Sequence, residues 1–357
     1  AWTVGTLAAG SQQILHLWAM ATETGMQTNV ARIHASASDG ILPGYGVATN
    51  VTRMLGEVGI TNLQVSGMDA TVEWNSEAGV GYDLYAFDGE YRGSPRWILA
   101  AHDIDREGTG QYVDTGSLPA SIERRYYQVV YAGQDPQADG TWGVIRLAAA
   151  GAGYTLLSTP LRLDRRFDGE FGAAMAAVLQ GDDGGIGSGA DSVQILQSDG
   201  SWRLLYLDSA GIWRESTGEA STCELPAGTG FWLARSGATA VQITFTGPVG
   251  NDGTQTNRLE SGWNLIGLSE GRDLPLVQTI ASAQPTGGTS TAAADQLVLR
   301  NPNGTWRRLI YADGWGEAYT GKWFDLSSFG VVSTNEILSP GTGCYYLRRG
   351  GTTDVRF

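Results

Sequence analysis

The chain has 357 residues, of which 23 are basic and 37 acidic, so its formal net charge is −14. Hydrophobic residues make up 42% of the chain and charged residues 17%, which excludes disorder, since a disordered chain has low hydrophobicity and high charge. Because Lys322 is the single lysine and no apolar run is long enough to span a bilayer, we expect neither a nucleic-acid partner nor a membrane span.

The composition favours strands over helices. The sequence contains 51 glycines, 12 tryptophans and 14 tyrosines, and its short β-prone runs are separated by glycine-rich turns. Because aromatic and β-branched side chains favour strands, we predict an all-β protein made of serial β-sandwich domains. We expect the domains to cover residues 1–50, 51–140, 141–257 and 258–357, the first being a partial immunoglobulin-like strand segment with a linker.

A strand-like stretch at residues 13–20 is apolar on both of its alternating faces, a pattern typical of a strand buried on two sides. Residues 1–38 alone cannot bury both faces. We therefore expect these residues either to exchange strands with another subunit or to fold back onto the next domain. Strand exchange that is repeated head-to-tail generates a filament. The residues predicted to form the assembly contact are Ile14, Leu15, Leu17, Trp18 and Met20.

The same region carries two short motifs, W-T-V-G-x-L-x-x-G at residues 2–10 and T-N-x-A at residues 28–31. Together they resemble the closing half of the immunoglobulin-like repeat known as "domain of unknown function 11", which is common in large bacterial surface proteins. The resemblance covers residues 1–38, without the earlier strands of that family. It implies an extracellular or cell-surface location.

Strand-like runs separated by turn residues recur at regular intervals between residues 60 and 132, the spacing typical of a β-sandwich. An early run ends in Trp74, and a late run contains Tyr127-Gln128-Val129. This order resembles a fibronectin type III module.

Two segments of the C-terminal half match each other in residue order and spacing, which indicates a tandem duplication over residues 144–248 and 258–357. The matching stretches are residues 153–158 with 262–267, Asp199-Gly200-Ser201-Trp202 with Asn303-Gly304-Thr305-Trp306, and Gly228-Thr229-Gly230 with Gly341-Thr342-Gly343. The turn before each tryptophan predicts a hairpin, and each Gly-Thr-Gly predicts a turn with positive φ.

We expect both copies to have the same strand order, with Trp202 equivalent to Trp306. We also expect one short helix in each copy, at residues 171–179 and around residues 274–283. The two copies resemble Gly- and Trp-rich β-modules at the ends of secreted bacterial proteins.

The sequence carries no recognisable catalytic motif. His16, His34 and His102 stand apart from the patterns of serine hydrolases, zinc proteases and cysteine nucleophiles, so we expect no enzymatic activity and no cofactor. Carboxylates cluster at Asp103, Asp105 and Glu107 and at Asp182 and Asp183. Calcium is one ligand for such loops, but loop carboxylates are more often simply solvated.

The two cysteines, Cys223 and Cys344, lie far apart and outside any C-x-x-C pair. Two alternatives are open: the two cysteines form a disulfide with each other, or both are free thiols. The position of Cys344 is occupied by Phe231 in the first copy, which favours a packing role over a nucleophilic one.

Six tryptophans of the duplicated region have two interpretations, a stacking platform for sugar rings or packing within the sheets. The duplicated positions Trp202 and Trp306 lie just after hairpin turns, which favours packing. The six tryptophans are Trp202, Trp213, Trp232, Trp306, Trp315 and Trp323.

These observations favour an extracellular structural protein, a subunit of a surface fibre that assembles head-to-tail with copies of itself through its N-terminal segment. The alternative is a surface adhesin or carbohydrate-binding module that binds glycans through exposed aromatic residues.

Deletion of residues 1–38 distinguishes strand exchange with another subunit from folding back onto the next domain. With strand exchange, the truncated protein loses the large assemblies formed by the full chain in size-exclusion chromatography and electron micrographs, while its remaining domains keep their melting temperature. Unchanged assembly with a lowered melting temperature would show that the segment folds back onto its own chain.

Overall fold

The structure, a computed structural model, describes residues 25–34, 45–54, 57–91, 95–105, 107–137, 139–250, 256–275, 280, 283–301, 304–332 and 337–356. Antiparallel strands dominate these residues, which include one short helix, α1 (Glu170–Ala176). The predicted all-β fold with sandwich domains is confirmed. The chain divides into two compact units, residues 1–57 and 58–357.

The first unit contains two long strands, β1 (Gly25–His34) and β2 (Tyr45–Met54). They pair antiparallel along their whole length, from Gly25 opposite Met54 to His34 opposite Tyr45. The boundary expected between residues 50 and 51 falls inside β2, so this part of the chain is strand rather than linker. The motif at residues 2–10 lies outside the described residues.

The second unit contains the other strands. The first group is β3 (Ile60–Ser66), β4 (Asp69–Trp74), β5 (Tyr82–Asp88), β6 (Ile98–Ile104), β7 (Gln111–Asp114), β8 (Arg124–Tyr131) and β9 (Trp142–Ala149). The second group is β10 (Gly153–Ser158), β11 (Ser192–Leu196), β12 (Trp202–Leu207), β13 (Trp213–Glu215), β14 (Gly230–Arg235) and β15 (Val241–Pro248). The third group is β16 (Thr256–Leu259), β17 (Gly262–Gly267), β18 (Leu274–Pro275), β19 (Gln296–Arg300), β20 (Trp306–Ala312), β21 (Lys322–Asp325), β22 (Gly330–Val331), β23 (Ile337–Leu338), β24 (Gly343–Arg348) and β25 (Thr353–Arg356).

Two facing sheets form a β-sandwich at the start of the second unit. The smaller sheet has the order β3-β4-β7 and the larger one the order β15-β9-β8-β5-β6. Side chains alternate along the strands, so that Leu63, Trp74 and Tyr127 are buried between the sheets. The boundary expected between residues 140 and 141 falls between β8 and β9, which are hydrogen-bonded neighbours in the larger sheet.

Strand β15 joins this sheet although it follows the first repeat in sequence. It pairs with the whole of β9, from Val241 opposite Ala149 to Pro248 opposite Trp142. Its buried Phe245 stacks on Phe171 of α1, with ring centroids 5.5 Å apart, and Phe171 in turn contacts Phe231 of β14 at 5.6 Å. The outer face of the larger sheet and repeat 1 therefore share one hydrophobic core, which is distinct from the core between the two sheets of the sandwich.

The two repeats have the same strand order, which confirms the duplication. The sheet of repeat 1 runs β10-β14-β11-β12-β13, and that of repeat 2 runs β17-β24-β19-β20-β21-β22. The registers also agree, since Leu196 faces Trp202 in repeat 1 and Arg300 faces Trp306 in repeat 2. The flanking pair β16–β25 of repeat 2 occupies the place of β9–β15 in repeat 1.

The helix predicted at residues 171–179 corresponds to α1. In repeat 2 the first two residues of the segment expected to be helical, Leu274 and Pro275, instead form β18, whose backbone pairs with β23. Residues 276–279 and 281–282 of that segment lie outside the described residues. Among the residues that the structure describes, no helix is long and apolar enough to cross a membrane.

Phe245→Ala tests the role of β15. Phe245 is 1% exposed, so its truncation leaves a cavity between the sandwich and repeat 1 and lowers the free energy of unfolding by about 3–5 kcal/mol. Urea unfolding followed by tryptophan fluorescence measures this loss. The matched control is Phe329→Ala at a position that is 82% exposed, which changes the free energy by less than about 0.5 kcal/mol. Equal effects of the two substitutions would contradict the shared core.

Candidate functional site at the junction of the repeats

The two repeats meet through equivalent segments. The backbone N–H of Ser158 donates to the carbonyl oxygen of Gly341 at 2.9 Å, and the N–H of the equivalent Gly267 donates to Gly228 at 2.8 Å. Two isolated antiparallel β-bridges connect the same segments in the same reciprocal way, one between residues 157 and 342 and the other between residues 229 and 266. Each repeat thus places the end of its first strand against the Gly-Thr-Gly turn of the other.

These turns require glycine at their first position. Gly228 has φ +69° and Gly341 has φ +79°, values that favour glycine, as the sequence predicted. A Cβ at Gly228 would also collide with the side-chain amide of Asn257, and one at Gly341 would collide with the side chain of Leu147. Close packing of a neighbouring side chain is therefore a second reason for glycine at both positions.

The reciprocal packing brings aromatic side chains of both repeats into one group, here named the aromatic cluster. Trp232 of repeat 1 lies 5.9 Å from Trp306 of repeat 2, measured between ring centroids, and its Nε1 donates a 2.7 Å hydrogen bond to the Tyr345 hydroxyl. Tyr154 contacts Trp232 at 6.1 Å, and Trp263 contacts Tyr345 at 5.8 Å. The cluster consists of Tyr154, Trp232, Trp263, Trp306 and Tyr345.

Three members of the aromatic cluster are open to solvent. Tyr154 is 55% exposed, Trp263 46% and Trp306 45%, whereas Trp232 and Tyr345 are partly buried beneath them. Contiguous exposed aromatic surface of this kind is typical of ligand or partner binding, because it costs solvation free energy without contributing to the core.

A cleft of about 440 Å³ lies beside the aromatic cluster and between the repeats. Repeat 1 lines it with residues 195–198 and with the turn at 226–229, and repeat 2 lines it with β16 and the first residues of β17. Trp263 belongs both to the cleft and to the aromatic cluster. Apolar side chains, among them Leu196 and Leu265, share the lining with amide, hydroxyl and charged side chains, so the cleft suits a polar ligand that also offers an apolar face.

A buried ion pair at the same register position stabilises the sheet in each repeat. Arg235 Nε lies 3.0 Å from Asp191 Oδ2, and Arg348 Nη1 lies 3.1 Å from Asp295 Oδ2. Each carboxylate also accepts a hydrogen bond from the backbone N–H of the residue after its arginine. In repeat 1 this residue is Ser236, at 2.8 Å. Asp191 and Asp295, which precede β11 and β19, thus connect these strands to the ends of β14 and β24.

The environment of Asp191 favours its ionised form. Burial raises the pKa of this carboxyl, but the backbone N–H groups of Gln180 and Ser236 and the Arg235 guanidinium outweigh burial and hold the pKa below its usual value. The carboxylate therefore contributes stability at neutral pH that is lost as the pH falls through its lowered pKa.

The six tryptophans singled out in the sequence fall into different environments. Trp213 and Trp323 are buried in the repeat cores, and Trp213 Nε1 donates to the carbonyl oxygen of Gly172 at 3.0 Å. Trp315 packs on Phe324 with ring centroids 5.0 Å apart. Trp232 and Trp306 belong to the aromatic cluster, whereas Trp202 is 42% exposed and makes no ring contact among the described residues.

Tyr154, Trp263 and Tyr345 were missing from the sequence-based candidates. The duplication contained a signal for them, because Tyr154 aligns with Trp263 and Trp232 with Tyr345, so that both positions are aromatic in both copies.

The two cysteines are free thiols, so the disulfide considered as one alternative is not formed. Cys223 is buried in the core shared by the sandwich and repeat 1, and Cys344 is buried in the core of repeat 2. Burial raises the pKa of the Cys344 thiol to about 12, which keeps it protonated and unreactive.

The acidic loops use their carboxylates within the chain. Asp105 accepts the backbone N–H of Gly110 at 2.7 Å, and Asp182 accepts that of Gly184 at 2.7 Å. Among the described residues, no group of three or more His, Cys, Asp or Glu side chains is placed to hold a metal ion. Calcium at these loops stays the alternative to the expectation of no cofactor.

Of the histidines, His102 lies with Nδ1 2.8 Å from Asp83 Oδ1, and His34 lies in β1. His16 lies outside the described part of the chain, as do the predicted assembly residues Ile14, Leu15, Leu17, Trp18 and Met20. The assembly contact therefore stays a prediction from sequence.

Comparison of the chain with protein-family models and with curated proteins finds no match. The resemblances of residues 1–38, 60–132 and the two repeats therefore remain predictions.

Asp191→Asn tests the buried ion pair. The variant leaves Arg235 buried without a counter-charge, and we expect a loss of about 3 kcal/mol in the free energy of unfolding at pH 7. The difference from the unsubstituted protein shrinks as the pH is lowered, because protonation of Asp191 then weakens the same pair. Urea unfolding from pH 7 to pH 3 measures both effects, with exposed Asp139→Asn as the matched control. A loss that did not depend on pH would contradict the electrostatic origin.

Proposed function

We propose that this chain is an extracellular carbohydrate-binding protein without catalytic activity that binds glycans on the aromatic cluster. The observation that supports this most strongly is the contact of five aromatic rings from both repeats in one group, of which Tyr154, Trp263 and Trp306 are about half exposed.

Sugar chemistry fits this surface. A pyranose ring presents an apolar face of C–H groups that packs on an aromatic ring, while its hydroxyl groups stay at the rim and bond to polar groups or water. Tyr154, Trp263 and Trp306 offer such rings on one surface. The Trp232–Tyr345 hydrogen bond holds the underlying pair in place, so little ordering is needed when a ligand binds.

Packing alone does not account for the exposed members of the cluster. The repeat cores are filled by other side chains, among them Trp213, Phe231, Trp323 and Tyr346. Side chains that are about half exposed contribute less buried area than these, and one of them, Trp263, also lines the cleft.

The extracellular location in this proposal is supported by the resemblance of residues 1–38 to an immunoglobulin-like repeat of bacterial surface proteins. A protein anchored outside the cell would meet glycans on neighbouring surfaces.

A second role, head-to-tail assembly with copies of itself, is also proposed and is supported by the first unit. Within the described residues, β1 and β2 pair only with each other, and a two-stranded sheet is marginally stable alone. Strands supplied by another subunit would pair with its edges.

Trp306→Ala tests glycan binding by the aromatic cluster. Removal of this ring weakens retention on a glycan array and lowers the affinity for the glycans retained by about tenfold, because the ligand loses an aromatic surface. Trp202→Ala is the matched control, since Trp202 occupies the equivalent position in repeat 1 with 42% exposure but lies outside the cluster. Retention of no glycan by the unsubstituted protein, or an equal loss in both variants, would contradict the proposal.

A further inference from the structure

The reciprocal junction of the repeats is not symmetric at one pair of equivalent positions. Arg300 ends β19 of repeat 2, and its Nη1 donates a 2.6 Å hydrogen bond to the carbonyl oxygen of Tyr154 in repeat 1. The equivalent residue in repeat 1 is Leu196, as shown by its register with Trp202, and the equivalent of Tyr154 is Trp263. Leucine has no donor with which to make the corresponding bond to Trp263.

This difference coincides with the position of the cleft. Leu196 and Trp263 both line it, on opposite sides of the boundary between the repeats. On the equivalent side of the junction, the long side chain of Arg300 reaches across to the other repeat. The replacement of an arginine by a shorter leucine therefore leaves open space beside Trp263, whereas the corresponding space beside Tyr154 is bridged.

We propose that the cleft is a second subsite that binds the end of a neutral oligosaccharide whose other sugars lie on the aromatic cluster. This inference rests on the proposed glycan-binding function and names its ligand class. Trp263 connects the two regions, because one indole lines the cleft and also contacts Tyr345 of the cluster.

The charges of the cleft specify a neutral ligand. Four charged side chains line it, two basic and two acidic, and each has an oppositely charged partner. The partners are Glu215 for Arg203 at 2.7 Å, Glu260 for Arg258 at 2.8 Å and Arg165 for Glu224 at 3.3 Å. A uronic acid or sialic acid would have to displace one of these carboxylates, and it would also approach a chain of net charge −14.

The remaining lining provides groups that bond to hydroxyls. Gln197, Ser198 and Thr229 border the same space, together with the backbone of the turn at residues 226–229. A neutral sugar exchanges its water hydrogen bonds for bonds to such hydroxyl, amide and peptide groups and keeps its apolar face for Trp263. The cleft is thus built for hydroxyls on one side and for a C–H face on the other.

The test closes the cleft in two ways and leaves the aromatic cluster intact. Leu196→Arg introduces the side chain that bridges the opposite side of the junction, and Ser198→Trp places a large ring at the exposed rim. Ile98→Arg, a similar change at an exposed position of β6, is the control. Isothermal titration calorimetry measures the binding of neutral tetrasaccharides of glucose, mannose and N-acetylglucosamine, with tetragalacturonate as the acidic comparison.

We expect one or more of the neutral tetrasaccharides to bind, and to bind about tenfold more weakly to Leu196→Arg and to Ser198→Trp, with Ile98→Arg unchanged. If Trp306→Ala weakens binding but both cleft variants bind as the unsubstituted protein does, the subsite is wrong and the proposed function stands. Preferential binding of tetragalacturonate would overturn the neutral ligand class. Binding of none of the four oligosaccharides would overturn the proposed function and the subsite together.

Discussion

The pairing of β15 with β9 is the interaction on which the rest of the second unit depends. It returns the chain from repeat 1 to the larger sheet of the sandwich and covers all of β9 with backbone hydrogen bonds. Because Phe245 of β15 stacks on the helix of repeat 1, the same strand closes the sheet and seals the core above it. The junction of the repeats is then built on a repeat whose core packs directly on the larger sheet of the sandwich.

The duplication explains why the candidate site is where it is. Two copies of one module meet through the ends of their first strands and their Gly-Thr-Gly turns, so aromatic positions that recur in each copy converge at the boundary. The near-symmetry of the two repeats places the aromatic rings together, and residues that differ between the repeats give the rings different neighbours. Leu196 and Arg300 show that a single differing side chain distinguishes an open side of the junction from a bridged one.

Much of the architecture was predictable because it follows from local patterns. The hairpin turns before Trp202 and Trp306, the positive φ of Gly228 and Gly341 and the common strand order follow from residue order and turn chemistry. The role of β15 was not predictable, since pairing between strands separated by a whole repeat leaves no local pattern. The same limit applies to the Asp191–Arg235 pair. The duplication marks the recurring aromatic positions, but their contact in one cluster depends on how the two repeats meet.

The late arrival of β15 has a consequence for synthesis on the ribosome. Strand β9 is complete at Ala149, but its partner starts only at Val241, after all of repeat 1 has been made. During that interval the emerging sheet presents an unpaired edge, which is the kind of surface that recruits other nascent chains. The β9 edge of the nascent chain therefore stays open to other chains until Val241–Pro248 has been made and pairs with it.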